Sequence, residues 1–267
     1  MIFANRELAQ RLERAEGFAC VQFAAARKRI FPKCDSAWMR CVGVDVVFDG
    51  VDAPTTQTFG LGMFEEPTAE MLEEIERFFS ERGAATMHEV SPLAGVATVE
   101  LLCARGYRPL EISNVLYRTV ELSESERRDG IEVRVVGEDE AEVWSRVSAR
   151  GWTHEHPELQ EFVEQMGVLM VAREQSPCFL AELNGVHGAA GGLSLYEGVA
   201  LFAGAATAPE MRRRGLQGAL LEARMRYAFE RGCDLAMMVA EAGSNSQRNA
   251  ERQGFRVAYT RMKWKLE

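Results

Sequence analysis

Residues 207–218 read Thr-Ala-Pro-Glu-Met-Arg-Arg-Arg-Gly-Leu-Gln-Gly and join an apolar strand pattern to an amphipathic helix pattern. Three consecutive arginines (Arg212, Arg213 and Arg214) therefore stand at the N-terminal end of a helix, in a chain of formal net charge −9. That helix end already carries partial positive charge, and each added cation there costs roughly 0.3–1 kcal/mol unless an anion lies nearby. The chemistry this pattern suits is anion binding. Backbone N–H groups of a first helical turn point at a ligand, and Gly215 and Gly218 let the backbone approach closely. Arginine adds forked contacts to phosphate oxygens. No Gly-Lys-Ser/Thr ending and no Gly-x-Gly-x-x-Gly after an early strand is present, so nucleotide triphosphate and dinucleotide loops are set aside. Gly188-Ala-Ala-Gly-Gly192 reads as small residues inside a strand pair. The diphosphate of coenzyme A is the common arrangement that remains.

Other reactive side chains are sparse. His154 and His156 form a His-x-His pair, but with four histidines in the chain and no third ligand at useful spacing, no metal is expected. His88 and His187 read as ordinary turn or strand residues. The six cysteines lack a Cys-x-x-Cys pair, which fits thiols in a reducing, cytoplasmic setting better than a disulfide frame. Cys178 and Cys233 read as core residues, and neither has a nearby histidine in sequence to activate it.

The elements that must position these groups follow from length and patterning. At 267 residues, with 47% hydrophobic and 27% charged, the chain suits one large domain or two ordinary ones. No apolar run is long enough to span a bilayer, and the N-terminus alternates charge too early for a signal peptide. The acidic balance argues against a nucleic-acid partner. The polar stretch 122–130 marks a boundary, giving expected domains at 1–125 and 126–267.

After the boundary the pattern reads strand, two helices, three strands, helix, strand, helix, strand. An Asn184-Gly185 turn joins the first two of those three strands. Leu216, Ala219, Leu220, Ala223 and Tyr227 share a helix face that stops at Gly232. Ser244 or Ser246 caps a short helix, and 255–266 forms a closing strand. The first half echoes this order. Residues 38–48 and 55–64 read as two strands, followed by a helix capped by Thr68. Glu81-Arg82-Gly83 recurs as Glu230-Arg231-Gly232, with Gly106-Tyr107 and Gly254-Phe255 at nearly equal distances beyond, which suggests an internal duplication.

The second half resembles the GNAT superfamily of N-acetyltransferases, and the echo makes the whole chain similar to tandem-GNAT proteins. The motifs carrying the likeness are Arg212-x-x-Gly215, the strand entering it through Thr207-Ala208-Pro209, the amphipathic helix and the Gly254-Phe255 turn. The resemblance implies an α/β fold with a mixed sheet, two GNAT-like domains in tandem, and acetyl-CoA as co-substrate. It places Ala205, Thr207, Arg212, Arg213, Arg214, Gly215, Leu216, Gln217 and Gly218 at the cofactor, with the Ala205 N–H facing the acetyl carbonyl. Gln217 stands where the family usually has Gly or Ala. The implied reaction is acetyl transfer to an amine of a small molecule or peptide.

A tyrosine four residues before the Gly-Phe turn is the family's usual thiol donor, and Ala250 occupies that place. Glu241, ending the strand 234–240, and Tyr196 are the candidates for proton transfer. Tyr196-Glu197-Gly198 also reads as a plain turn. Trp152 and His154 lie where the family builds its acceptor pocket. The first half has Glu65-Glu66-Pro67 in place of the cofactor turn and reads as a non-binding relative. The alternative function is a non-catalytic acyl-CoA sensor or scaffold.

Overall fold

A computed structural model describes residues 2–51, 53–122, 128–154 and 156–267. It divides into two compact units, Met1–Arg118 with Met237–Glu267, and Thr119–Ala236. The boundary expected at 122–130 falls mostly on residues 123–127, outside the described residues. Met237–Glu267 clusters with the first unit, because the closing strand pairs there.

The first unit opens with helix α1 (Arg6–Ile30), which charge alternation alone had not marked as an element. Asn5 caps it by accepting the Leu8 N–H at 2.9 Å, and Arg27, Lys28 and Arg29 sit at its favourable C-terminal end. Its buried face is made of Leu8, Leu12 and a run of alanines, with Gly17 against Asp45. Residues 38–48 form two strands, β1 (Ala37–Cys41) and β2 (Val44–Phe48), where one was expected. Val42 and Gly43, both at positive φ, turn the chain between them. The next strand, β3 (Gln57–Phe59), is shorter than expected, because Gly60 and Gly62 bend the chain after it.

Helix α2 (Ala69–Ser80) starts at its Thr68 cap as the sequence indicates. Then come β4 (Thr86–Val90), α3 (Val96–Ala104) and β5 (Arg108–Thr119). The C-terminal strand β11 (Arg256–Leu266) pairs antiparallel with both β4 and β5. The strand order in this unit is β1-β2-β3-β4-β11-β5, and β3 runs parallel to β4, so the sheet is mixed. A buried polar cluster fastens β11 to α1. The Tyr259 hydroxyl donates to Glu13 at 2.8 Å, and Arg261 donates to both oxygens of Glu16 at 2.6 and 2.7 Å.

The second unit is an antiparallel run of β6 (Ile131–Val135), β7 (Cys178–Leu183), β8 (Val186–Tyr196) and β9 (Val199–Thr207). Helices α4 (Ala141–Trp152) and α5 (Gln160–Val171) lie between β6 and β7 in sequence, and α6 (Leu216–Glu230) follows β9. Asn184 and Gly185 turn at positive φ, as that dipeptide predicts. Buried Trp144 of α4 donates its indole N–H to the Phe179 carbonyl at 2.9 Å, pinning the helix to the sheet. The glycines at 188–192 make room for neighbours. A Cβ on Gly188 would meet Leu216 at 2.8 Å and Met211 at 2.9 Å, and one on Gly191 would meet Leu220 at 3.0 Å. These small residues seat α6 and its entry turn on the sheet.

Strand β10 (Leu235–Glu241) crosses the boundary between the units, and α7 (Asn245–Arg252) follows it in the first unit with Ser244 as its cap.

Candidate active site

The turn between β9 and α6 has the backbone of an anion cradle. Pro209–Met211 forms one short helical turn, tied back by the Ala208 N–H to the Gly188 carbonyl at 2.9 Å. The backbone then takes positive φ twice, at Arg213 (φ 61) and Gly215 (φ 88). A non-glycine residue at such a φ is uncommon and strained, and such strain gathers at ligand sites. Among the described residues no side chain caps α6 and no acidic residue stands in its first turn, so the N–H groups of Leu216, Gln217 and Gly218 meet no built-in carboxylate. Leu216, 1% exposed, anchors this turn in the core, whereas Arg213, Arg214 and Gln217 are exposed.

Arg212 lies across this turn. Its Nε donates to the Thr207 carbonyl at 3.3 Å, Nη2 donates to the Gly151 carbonyl at 3.2 Å, and both nitrogens of His154 lie 3.2 Å from its terminal nitrogens. The Thr207 hydroxyl donates to Gln217 Oε1 at 3.1 Å, joining the end of β9 to the first turn of α6. Thr207, Arg212, Gln217 and His154 are thus brought together.

Arg128 is a member of this neighbourhood that the sequence reading missed. Its guanidinium makes a two-pronged pair with Glu222 of α6 at 2.6 and 2.8 Å. It lies 3.3 Å from where a Cβ on Gly218 would stand, and its Cδ lies 3.3 Å from one on Gly215. The residue stands in the polar stretch read as a domain boundary, and its partner is 94 residues away. No local signal could have found it. Arg128 and Glu222 also line a groove of about 780 Å³ between β6 and α6.

Strand β9 carries a bulge near its end. The ladder pairs Gly192 with Ala203 and then Ala190 with Ala206, so Gly204 and Ala205 have no direct partners on β8, and Gly204 takes φ 62. A bulge re-aims backbone groups out of the ladder, which is the property needed to turn the Ala205 N–H toward a ligand.

Tyr196 is not brought to this place. It pairs with Val199 at the opposite end of the β8–β9 hairpin, beside the tight turn Glu197-Gly198. Six residues of strand separate Val199 from Ala205, roughly 20 Å. Tyr196 thus stands at the hairpin turn, away from the Arg-Gly turn. Glu241 ends β10 in the first unit, exposed, and its carbonyl accepts the Ser244 N–H at 3.2 Å. Gln247 Oε1 accepts the Gly243 N–H at 2.7 Å and the Asn114 Nδ2 group at 3.0 Å, which fixes the turn after Glu241. Ala250 is buried in α7.

Trp152, at 58% exposure, ends α4 beside Gly151. His156 lies 3.2 Å from Glu158. Cys178 is buried, and burial pushes its thiol up to about 12, which removes it as a nucleophile at neutral pH. His88 is also buried. Thr58 and Tyr107 hold its ring nitrogens at 2.6 and 3.0 Å, a satisfied core histidine of the first unit.

The Glu65-Glu66 turn of the first unit differs in kind. Arg6 donates to the Gly62 and Met63 carbonyls at 2.7 and 3.1 Å, and Gln10 donates to Met63 at 2.6 Å. Side chains of α1 therefore close the loop before α2.

Comparison with known proteins agrees with this geometry. Residues 139–255 match the acetyltransferase (GNAT) family. The chain is similar in fold to a GCN5-related N-acetyltransferase from Kribbella flavida, at 18% identity over 96% of this chain and 95% of that one, with TM-score 0.68. It is also similar to a tandem GNAT protein from the clavulanic acid biosynthesis pathway, at 12% identity over 100% and 97% of the two chains, with TM-score 0.59. A functionally unknown conserved protein from Staphylococcus epidermidis gives TM-score 0.60 at 11% identity, covering 90% and 97%. No curated protein matches. The chain has the α/β fold of two GNAT-like domains in tandem, and its likeness to the acetyltransferase (GNAT) family spans residues 139–255.

Proposed function

We propose that the chain is an acetyl-CoA-dependent N-acetyltransferase whose residues 126–267 form the coenzyme-binding domain, with residues 1–125 as a non-binding relative. The observation that carries the reading is the uncapped N-terminus of α6 behind a turn of three arginines and a left-handed Gly215. Such a cradle fits a diphosphate, and Arg212, Arg213, Arg214 and the amides of Gly215, Leu216, Gln217 and Gly218 would hold it. Thr207 would touch the pantetheine arm. Acetyl-CoA, when bound, supplies the activated acetyl group.

The chain's own residues then have three tasks. The bulge at Gly204-Ala205 leaves the Ala205 N–H to stabilise negative charge developing on the acetyl oxygen. Glu241 would take the proton of the acceptor amine, directly or through water, before or during attack. Trp152 would line the acceptor pocket at the end of α4. Glu65 and Glu66 with the Arg6 and Gln10 contacts support the assignment of a single coenzyme site, since that turn offers carboxylates and closed carbonyls to a diphosphate. The acceptor is an amine of a small molecule or a peptide.

A second reading has one specific observation behind it. Ala250 is buried where the usual thiol-protonating tyrosine would stand, which suits a protein that binds acyl-CoA without turnover. One experiment separates the two. Calorimetry with coenzyme A should give one site per chain, and acetyl-CoA with a panel of amines should release free thiol. Two equivalent sites would refute the single-site assignment. Tight binding with no thiol release across the panel would establish the sensor reading.

A further inference from the structure

We infer that His154 is a positioning residue of the coenzyme site, holding the Arg212 guanidinium at the diphosphate turn rather than contacting the acceptor amine. The inference rests on the reading of residues 212–218 as that site.

Four contacts converge on Arg212, and three of them come from two consecutive structural features. The Gly151 carbonyl accepts from Nη2 at 3.2 Å, and the His154 ring places one nitrogen 3.2 Å from Nη1 and the other 3.2 Å from Nη2. The fourth is the Thr207 carbonyl, 3.3 Å from Nε. Gly151 lies in the last turn of α4, where the carbonyls carry partial negative charge and favour a cation.

The segment 151–154 is itself fixed to the turn. A Cβ on Gly151 would meet the Ala206 Cβ at 2.6 Å and the Thr207 nitrogen at 3.0 Å, so the helix end lies directly on the end of β9. Thr153 closes α4 by donating both its N–H and its hydroxyl to the Ala149 carbonyl, at 2.8 and 2.9 Å. That closure delivers His154 to the guanidinium one residue later. Arg150 and Glu210 form a second tie between α4 and the entry to the turn.

An exposed arginine samples many rotamers, and ordering it on binding weakens the ligand's affinity. Here the ordering is done before the anion arrives. A neutral imidazole accepts through only one ring nitrogen, so these contacts engage three of the five guanidinium N–H groups and leave two for phosphate oxygens. His154 is thereby committed to the coenzyme side, and Trp152, two residues earlier and 58% exposed, stays turned to solvent.

The test is calorimetric and needs no acceptor. Coenzyme A and pantetheine, which lacks the diphosphate, are titrated into wild type, Arg212→Ala, His154→Ala, His154→Gln and the Arg212→Ala/His154→Ala double variant. His154 is exposed, so its variants should unfold thermally as wild type does. His154→Ala is expected to weaken coenzyme A about tenfold, within the coupling range of contacting residues. The amide of His154→Gln should restore most of that loss. In the Arg212→Ala background the His154 change should add little, and pantetheine affinity should not move. Wild-type affinity of His154→Ala for coenzyme A would overturn the inference. So would equal losses for pantetheine and coenzyme A, or fully additive losses in the double variant. Wild-type affinity of Arg212→Ala would overturn the coenzyme-turn reading beneath it, a result separable from the others.

Discussion

Replacing Gly215 tests the cradle most directly. Its φ of 88 and ψ of −9 lie in the left-handed region, where an L-residue costs roughly 1–2 kcal/mol. A Cβ there would stand 3.3 Å from both Arg128 Cδ and Ile131 Cδ1, tight enough that one neighbour must move by a few tenths of an ångström. Gly215→Ala can relieve both penalties by rotating the backbone out of the left-handed well. The same rotation swings the amides of Leu216, Gln217 and Gly218 away from their common focus. If the whole penalty appears in the liganded state, coenzyme A affinity falls by about 5- to 30-fold. Gly215→Val adds branched methyls against Arg128 and should lose more. Gln217→Gly is the control, because that side chain is exposed and gives up its 3.1 Å contact with Thr207. A glycine at that helix position costs at most about 1 kcal/mol of stability, and its coenzyme affinity should stay within about threefold of wild type. Calorimetry with coenzyme A reads the affinities, and thermal unfolding without ligand shows whether the fold survives. A Gly215→Val protein that stays folded and binds coenzyme A as wild type does would refute the assignment of the turn. If valine prevents folding, the alanine variant carries the same comparison.

Glu241→Gln should lower turnover by about 10²–10⁴-fold with near-normal acetyl-CoA affinity, and the loss should shrink as pH rises and the amine deprotonates unaided. Unchanged turnover across pH would remove Glu241 as base, whereas Tyr196→Phe should be silent at its end of the hairpin. Burial pushes the His88 imidazole down from 6.5 to about 3, so the unfolded chain binds the proton that the folded one refuses. Its contribution is therefore present above pH 6.5 and lost progressively as pH falls toward 3, up to roughly 5 kcal/mol at the acid end. His88→Gln should flatten that acid limb in urea unfolding measured across pH, and an unchanged pH dependence would count against it.

What was legible in the sequence was local. Thr68 and Ser244 cap their helices as their chemistry predicts, and Asn184-Gly185 makes its hairpin because both residues accept positive φ. The Arg-Gly turn was legible because its oddity is electrostatic: cations at the wrong helix end need an anion. Helix α1 was not legible because its inner face is mostly alanine, with Gly17 and Glu13 also buried, so its apolar stripe is faint. The β1–β2 turn hid behind Val42, a residue type that favours strands and takes φ 49 here. The pairings with distant partners left no trace in spacing, even where a residue such as His154 was itself a candidate. Arg128 is held by Glu222, and His154 meets an arginine 58 residues away. Both are facts of packing, which no window along the chain contains.

The place of β11 fixes the order in which the first unit can be finished. This strand is made after residues 119–236, yet it lies between β4 and β5, which are made before residue 120. Residues 119–236, by contrast, form one uninterrupted stretch and have all their own strands in hand once that stretch is synthesised. The nascent first unit must therefore hold two open strand edges through the synthesis of everything between them. Open edges invite pairing with other chains, and such long-range closure is slow. The unit whose strands are split along the chain is the one that chaperones must guard longest.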